Sequence, residues 1–340
     1  MADVAQTRVA LAKAPTRRGG LLNQERIVLG LAVLLFALFS ATLPGFLTTQ
    51  NIITLLRSVS VLAILGIGMV VVVLGRGIDL SMIANMAISV AWAFFLANHG
   101  TPVPLALAIG FGFAVAMGAL TGFIVAYAEV PPLFATLAMG TFIYGFGRSH
   151  LVKTTETAFL PPGMGAVARL GQGTVFHVPI PIIAAAVLSL TAYLFLRTTK
   201  YGRYVYAIGD NIAAARIGGT PVRPILVLQY VISGAIAFLA GLITATAVSE
   251  MNTRIVNSTM IYDVILVVVL GGVGLSGGRG GVRNVIVGTL LIGTLIDGMT
   301  IMDLQYTVQN VIKSLILLFA IIADSLINPR DEQTSQQGDI

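Results

Sequence analysis

Leu196–Pro224 reads LRTTKYGRYVYAIGDNIAAARIGGTPVRP and carries Arg197, Lys200, Arg203, Arg216 and Arg223 against a single acid, Asp210. The apolar runs on either side, 178–196 and 225–248, hold no charged residue. A basic connector between two membrane spans belongs on the cytoplasmic face, because the bias of Lys and Arg sets orientation. At its centre DNIAAARI, 210–217, offers an Asx N-cap followed by Ala-rich helix, and Gly218, Gly219 and Pro221 stop it. The stretch predicts a short helix displayed at a membrane surface. It either orients the chain or docks a cytoplasmic partner.

Composition supports the membrane reading independently. Hydrophobic residues make up 56% and charged residues 10% of 340, and mean hydropathy is +0.93. A soluble domain of this size could not cover its surface with so little charge, whereas a bundle in lipid needs apolar side chains outside as well as inside. The formal charge of +6 then follows from basic loops and gives no reason to expect nucleic acid. The absence of cysteine excludes disulfides and thiolate metal sites.

Crossing the hydrocarbon takes about 20 apolar residues. Turn residues and charges divide the chain into runs 27–47, 52–74, 80–97, 103–128, 133–151, 178–196, 225–248, 260–275, 285–302 and 307–327. The expected fold is an all-α polytopic transmembrane helical bundle of about ten spans with both termini cytoplasmic. Residues 1–26 form a basic N-terminal tail, 27–327 the membrane domain with its 197–224 connector, and 328–340 a C-terminal tail. Connectors 43–51 and 98–102 carry no Lys or Arg and suit the outside; 276–284, with Arg279 and Arg283, suits the inside. The connector 151–177 must lie outside in this scheme although it holds Lys153 and Arg169 against Glu156.

GRGIDLS, 75–81, follows the second run; its glycines allow a turn and Asp79 can cap the next helix. It reads either as a cytoplasmic turn or as a helix break in mid-membrane. VVVLGRGIDLS, 71–81, is similar to VVVLGGVGLS, 267–276, and Gly-interrupted apolar segments at matching places in two halves mark broken helices in transporters. The second stretch runs on as GGVGLSGGRGGVRN, 271–284, without the GK[ST] of a phosphate loop, so close backbone packing is the better account. Gly110, Gly112, Gly118 and Gly122 read the same way.

GIDLS, YGRYVYAIGDNIAAARIGG and LGGVGLSGGRG, in this order and spacing, resemble the permease subunits of bacterial ABC importers for monosaccharides, of the ribose type. The likeness runs from about Ile52 to Asp324. It implies an inner-membrane permease that passes a monosaccharide or related polyol. It also implies cytoplasmic ABC ATPase subunits, a periplasmic sugar-binding protein and a second permease copy or paralogue. ATP hydrolysis would lie on the separate subunits. The connector would couple to the ATPase through Arg203, Asp210, Asn211, Ala213, Ala214, Ala215, Arg216 and Gly218. The chain departs from the family pattern at Met82–Asn85 and at Ile212, where a Glu is usual and the docking surface would lose a charge. ABC permeases for branched-chain amino acids and ion-coupled secondary transporters are the alternatives.

The candidates for the translocation pathway are Gly77, Asp79, Ser81, Asn85, Thr136, Tyr144, Gly271 and Gly272, with Ser89, Thr141, Ser233 and Thr244 as further polar side chains within spans. Hydroxyls in such helices commonly bond their own backbone. No metal, cofactor or catalytic group is expected, because His99, His150 and His177 share no face with another ligand at metal spacing. Asp297 and Lys313 each lie eight residues from Gln305, hence about 12 Å along their helices from the intervening turn. As antiparallel neighbours they would form an intramembrane charge pair.

Overall fold

Two apolar helices, one long and one short, stop at the same kind of break. The computed structural model describes residues 24–153 and 156–327. Its helices are α1 Gln24–Thr42, α2 Thr49–Leu74, α3 Met82–Asn98, α4 Val103–Ala126, α5 Pro132–Phe146, α6 Gly165–Gln172, α7 Ile180–Thr198, α8 Lys200–Asp210, α9 Ile212–Ile217, α10 Val222–Val248, α11 Met260–Leu270, α12 Val282–Ile301 and α13 Tyr306–Ile327. The all-α polytopic membrane fold expected from composition is the fold observed. Among these helices α1, α2, α4, α7, α10 and α12 are long and apolar enough to cross a bilayer, whereas α3, α11 and the Tyr306–Ile322 part of α13 are apolar but shorter. The first helix starts at Gln24, inside the expected N-terminal tail. Residues 1–23 and 328–340 of the two tails lie outside the described residues.

α2 and α10 are the inner helices, with 72% and 67% of their apolar windows buried, against 22% for α4 and α7. The outer helices keep apolar side chains such as Phe123, Phe134 and Leu190 exposed, as lipid requires. Close approach of α4 to its neighbours depends on small residues. A side chain at Gly122 would lie 2.7 Å from the Val227 Cα on α10, and one at Gly110 the same distance from the Ser89 carbonyl on α3. Gly118 packs likewise on Tyr230, but Gly112 has nothing within 4 Å and serves no packing role.

The breaks after α2 and α11 are one motif used twice. The amides of Arg76 and Gly77 donate to Val73 and Val72, and those of Gly272 and Val273 donate to Val269 and Val268. Arg76 at φ +68° and Gly272 at φ +92° occupy the left-handed position. Both are Schellman caps, which satisfy the last carbonyls of the helix. The similarity of 71–81 to 267–276 is therefore structural at this point.

At the opposite end of α10 the connector 156–179 is folded and is no plain loop. Thr157–Phe159 pairs antiparallel with Glu250–Asn252, and Arg254 meets Glu156 at 2.6 Å. Gln172 of α6 donates to the Thr246 carbonyl at 2.9 Å.

The expected pair of Asp297 with Lys313 does not form. α11 packs on both α12 and α13, and α12 packs further on α1 and α2, so the two helices joined by the short turn meet α11 more than each other. Lys313 Nζ lies 2.8 Å from Asp263 Oδ1 on α11, with side chains 8% and 15% exposed. The Asp297 carboxylate instead accepts from Asn51 Nδ2 at 2.8 Å. Removing one partner of a buried pair strands the other charge, at a cost of about 3 kcal/mol. Asp263→Ala and Lys313→Ala should each lower thermal stability in detergent more than the double replacement does, while Asp297→Asn should be nearly neutral. Additive losses across the Asp263/Lys313 cycle would show that the pair contributes nothing.

Candidate functional site

Two short helices make an elbow between α7 and α10. Thr199 caps α8 by accepting from the Gly202 amide at 3.1 Å. Asn211 is extended, at φ −158°, and its Oδ1 accepts from the Ala214 amide at 2.9 Å, so it ends α8 and starts α9. Gly218 and Gly219, the latter at φ +79°, stop α9. The short Ala-rich helix is as the sequence predicted, and the preceding α8 was missed. Tyr201, Tyr204, Val205 and Ile208, spaced i, i+3, i+4 and i+7, were the signal for it. Arg203 donates to the Thr198 carbonyl, at the base of the elbow.

α9 displays one face and buries the other. Ala213, Ala214 and Arg216 are exposed and Ile217 is 89% exposed, whereas Ala215 is buried in the core. Ile217 is the one large apolar side chain on the outward face, and sequence reasoning passed over it. Ile212, half-buried, packs against the core, so the departure from the usual Glu falls on the inner side of the helix.

The elbow is joined to both helix breaks. Gly209 on α8 sits so close that a side chain there would be driven into the Leu74 carbonyl oxygen and the Gly278 amide. The Gly278 amide donates to that Leu74 carbonyl at 2.9 Å. Arg76 donates from Nε to the Gly209 carbonyl at 2.8 Å and from Nη2 to the Asp210 carbonyl at 2.6 Å, placing a cation on the negative C-terminal end of α8. Tyr206 donates from its hydroxyl to the Gly280 carbonyl at 2.9 Å, and burial pushes its phenol above the ordinary value. A left-handed Arg costs about 1 kcal/mol relative to its relaxed backbone, and two hydrogen bonds from a charged donor, each about 1.5 kcal/mol or more, offset that.

Three residues past Arg76 a buried polar line enters the bundle. Asp79 Oδ1 accepts from the Ser81 amide at 3.0 Å and from the Ser81 hydroxyl at 2.6 Å, and its Oδ2 accepts from the Ser233 hydroxyl of α10 at 2.6 Å. The Tyr230 hydroxyl donates to the Ile78 carbonyl, and Gly77 is needed where that ring approaches. Asn85 donates to the Ala114 carbonyl at 2.9 Å. The side-chain amide of Gln229, beside Gly75, has no partner among the described residues. So Gly77, Asp79, Ser81 and Asn85 come together, joined by Ser233, whose part as Asp79's partner the sequence did not reveal.

The remaining candidates stand apart. Asn284 Nδ2 donates to the Gly271 carbonyl at 2.7 Å, and Gly272 is the left-handed residue of the second break. Thr136, Thr141 and Thr244 bond carbonyls of their own helices, as expected of packing hydroxyls, and Ser89 reaches the Met86 carbonyl. Tyr144, half-buried on α5, lies under the Arg148 guanidinium at 5.9 Å. Among the described residues no group of three His, Cys, Asp or Glu could hold a metal.

The family model described as branched-chain amino acid transport system / permease component matches residues 51–322. The ribose import permease protein of Haemophilus influenzae is 32% identical over 312 residues, 92% of this chain and 96% of that one. The ribose import permease protein of Escherichia coli K12 is 33% identical over 310 residues, covering 89% and 94%. The L-arabinose ABC transporter permease protein of Azospirillum brasilense is 32% identical over 321 residues, covering 92% and 91%. No solved structure matches.

Proposed function

The chain belongs to the family of ABC-importer permease components, and on that premise we propose that it carries a monosaccharide or related polyol across the bacterial inner membrane. It is a transport subunit and not an enzyme; ATP is hydrolysed on separate subunits. The relatives named above are ribose and arabinose permeases, which favours a sugar over the branched-chain amino acid of the family description. The observation that carries the reading is the junction of Leu74, Arg76, Gly209 and Gly278. It makes one piece of the displayed elbow and of the break that holds Asp79.

In this reading the cytoplasmic ATPase docks on α9, with Ala213 and Ala214 as the small-residue face, Ile217 as the apolar anchor and Arg216 beside it. Arg203, Asp210, Asn211, Ala215 and Gly218 hold that surface in shape. A periplasmic binding protein delivers the sugar to the opposite end. The path lies between two permease copies or a copy and a paralogue. Asp79, Ser81 and Thr136, 3%, 3% and 0% exposed in one copy, back the wall of that path and do not line it. Asn85 and Gly77 act with Asp79 and Ser81, Gly271 and Gly272 act at the second break, and Tyr144 has a side chain accessible to the path.

Ten spans complete the proposal. The shorter α3, α5, α11 and α13 cross together with the six long helices, and both termini lie in the cytoplasm. The chain has no native cysteine, so single replacements report cleanly. Cysteine at Ile217, 89% exposed, should react with an impermeant thiol reagent only from the cytoplasm, and cysteine at Phe176, 97% exposed, only from the periplasm. Labelling of Ile217 from outside would overturn the orientation.

Ala214→Glu tests coupling, because a charge on a surface that docks would be desolvated without a partner. In proteoliposomes with ATPase and binding protein, uptake from a panel of pentoses and hexoses should require ATP and fall at least tenfold in the variant, with membrane insertion unchanged. Normal uptake by Ala214→Glu would reduce the elbow to an orientation signal. Uptake driven by an ion gradient without ATP would contradict the importer reading.

A further inference from the structure

On the outer side of the bundle, α2, α7 and α12 leave a groove of about 490 Å³ lined by small and apolar residues, among them Val59, Ala63, Ala186 and Ile286. It continues past Tyr193, Val282 and Arg283 into a second space of about 440 Å³ at the α8 end of the bundle, where Glu25, Arg197 and Tyr206 join the lining. The two spaces share those three residues, so an apolar trough adjoins a charged basin. Arg197 and Arg283 both approach one ring, with guanidinium carbons 5.6 and 5.5 Å from the Tyr193 centroid, and Arg197 also donates to the Tyr193 hydroxyl. Among the described residues neither guanidinium has a carboxylate partner; every ion pair found there involves other cations.

A single occupant satisfies both halves: an apolar tail for the trough and an anion for two planar guanidiniums, which suit phosphate geometry. We propose that this is a specific phospholipid site, in which one acyl chain fills the groove between α2, α7 and α12 and the phosphodiester lies between Arg197 and Arg283. Glu25 is the basin's one acid, and its carboxylate selects a headgroup that also carries an ammonium, as phosphatidylethanolamine does, over the anionic headgroup of phosphatidylglycerol, whose glycerol offers no cation. A soluble phosphate would leave the trough empty. A second copy of the chain would have no need of the basin. The site lies at the end that carries the elbow, and the argument holds whichever side of the membrane that end faces.

The test uses the full-length chain in detergent, delipidated and titrated with phosphatidylethanolamine, with phosphatidylglycerol of the same chains and with inorganic phosphate, followed by native mass spectrometry. The unaltered protein should hold one phosphatidylethanolamine per protomer about tenfold more tightly than phosphatidylglycerol and should not retain phosphate. Arg197→Gln with Arg283→Gln should lose that retention about tenfold. Ala186→Trp, which fills the trough and leaves the charges in place, should lose it as well. Glu25→Gln should bring the two lipids to parity. Arg197→Gln alone, a surface change, serves should the double variant not fold. Unchanged retention in both the arginine and the Ala186→Trp proteins would mean annular lipid only and overturn the site. Phosphatidylglycerol or phosphate binding as tightly as phosphatidylethanolamine would equally overturn it. So would loss of a dimer, with no loss of lipid, on filling the groove.

Discussion

A backbone carbonyl at the end of a helix in the membrane has to find a donor, and the Leu74 carbonyl finds it in the amide of Gly278, more than two hundred residues away. That bond forms only because Gly209 has no side chain to stand in its way. Arg76 closes the same contact from the other direction, with its guanidinium on the last carbonyls of α8. The end of α2, the glycine run after α11 and the elbow therefore cannot move independently without breaking either that backbone bond or the side-chain bonds of Arg76 and Tyr206 to backbone carbonyls. Ser81, Asp79 and Ser233 begin a few residues further on, so the junction and a buried carboxylate share one short stretch of chain.

Polar groups inside the bundle follow a single rule, that each carboxylate has its partner nearby on another helix. Asp79 is held by Ser233, Asp263 by Lys313 and Asp297 by Asn51. These pairs fix the neighbours of α10, α11 and α12 as firmly as apolar packing, which in lipid supplies little preference for one helix over another. The cations at the surface of the α8 end differ in kind. Arg223 meets Glu129 at 2.7 Å, but Arg197 and Arg283 share only the ring of Tyr193, which suits them to an anion from outside the chain.

Much of this was legible in the chain, for identifiable reasons. Lipid demands uninterrupted apolar runs, so the helices announce themselves, and VVVLG followed by Gly-rich sequence announces the repeated Schellman cap. Asn211 and the Gly218–Gly219 pair mark α9 because capping is local chemistry. What failed was long-range. Lys313 was paired with Asp297 on the strength of a short connector, yet the order of helices in space is set by side-chain fit, and the connector allowed α13 to settle on α11. Gly209 looked like any other glycine, since the strand of backbone it admits comes from elsewhere. α8 escaped notice because its tyrosines and glycines have low helix propensity and its apolar stripe is short.

Hydrogen exchange measured on the purified chain with and without its ATPase reaches the central claim most directly. Segments 71–82, 203–217 and 271–281 should gain protection together when the ATPase binds, because they share the Leu74, Arg76, Gly209 and Gly278 contacts. In Arg76→Gly, which accepts the same left-handed backbone and removes the side chain with its guanidinium, the gain should remain in 203–217 and be lost from 71–82. Protection confined to 203–217 in the unaltered protein would contradict the account.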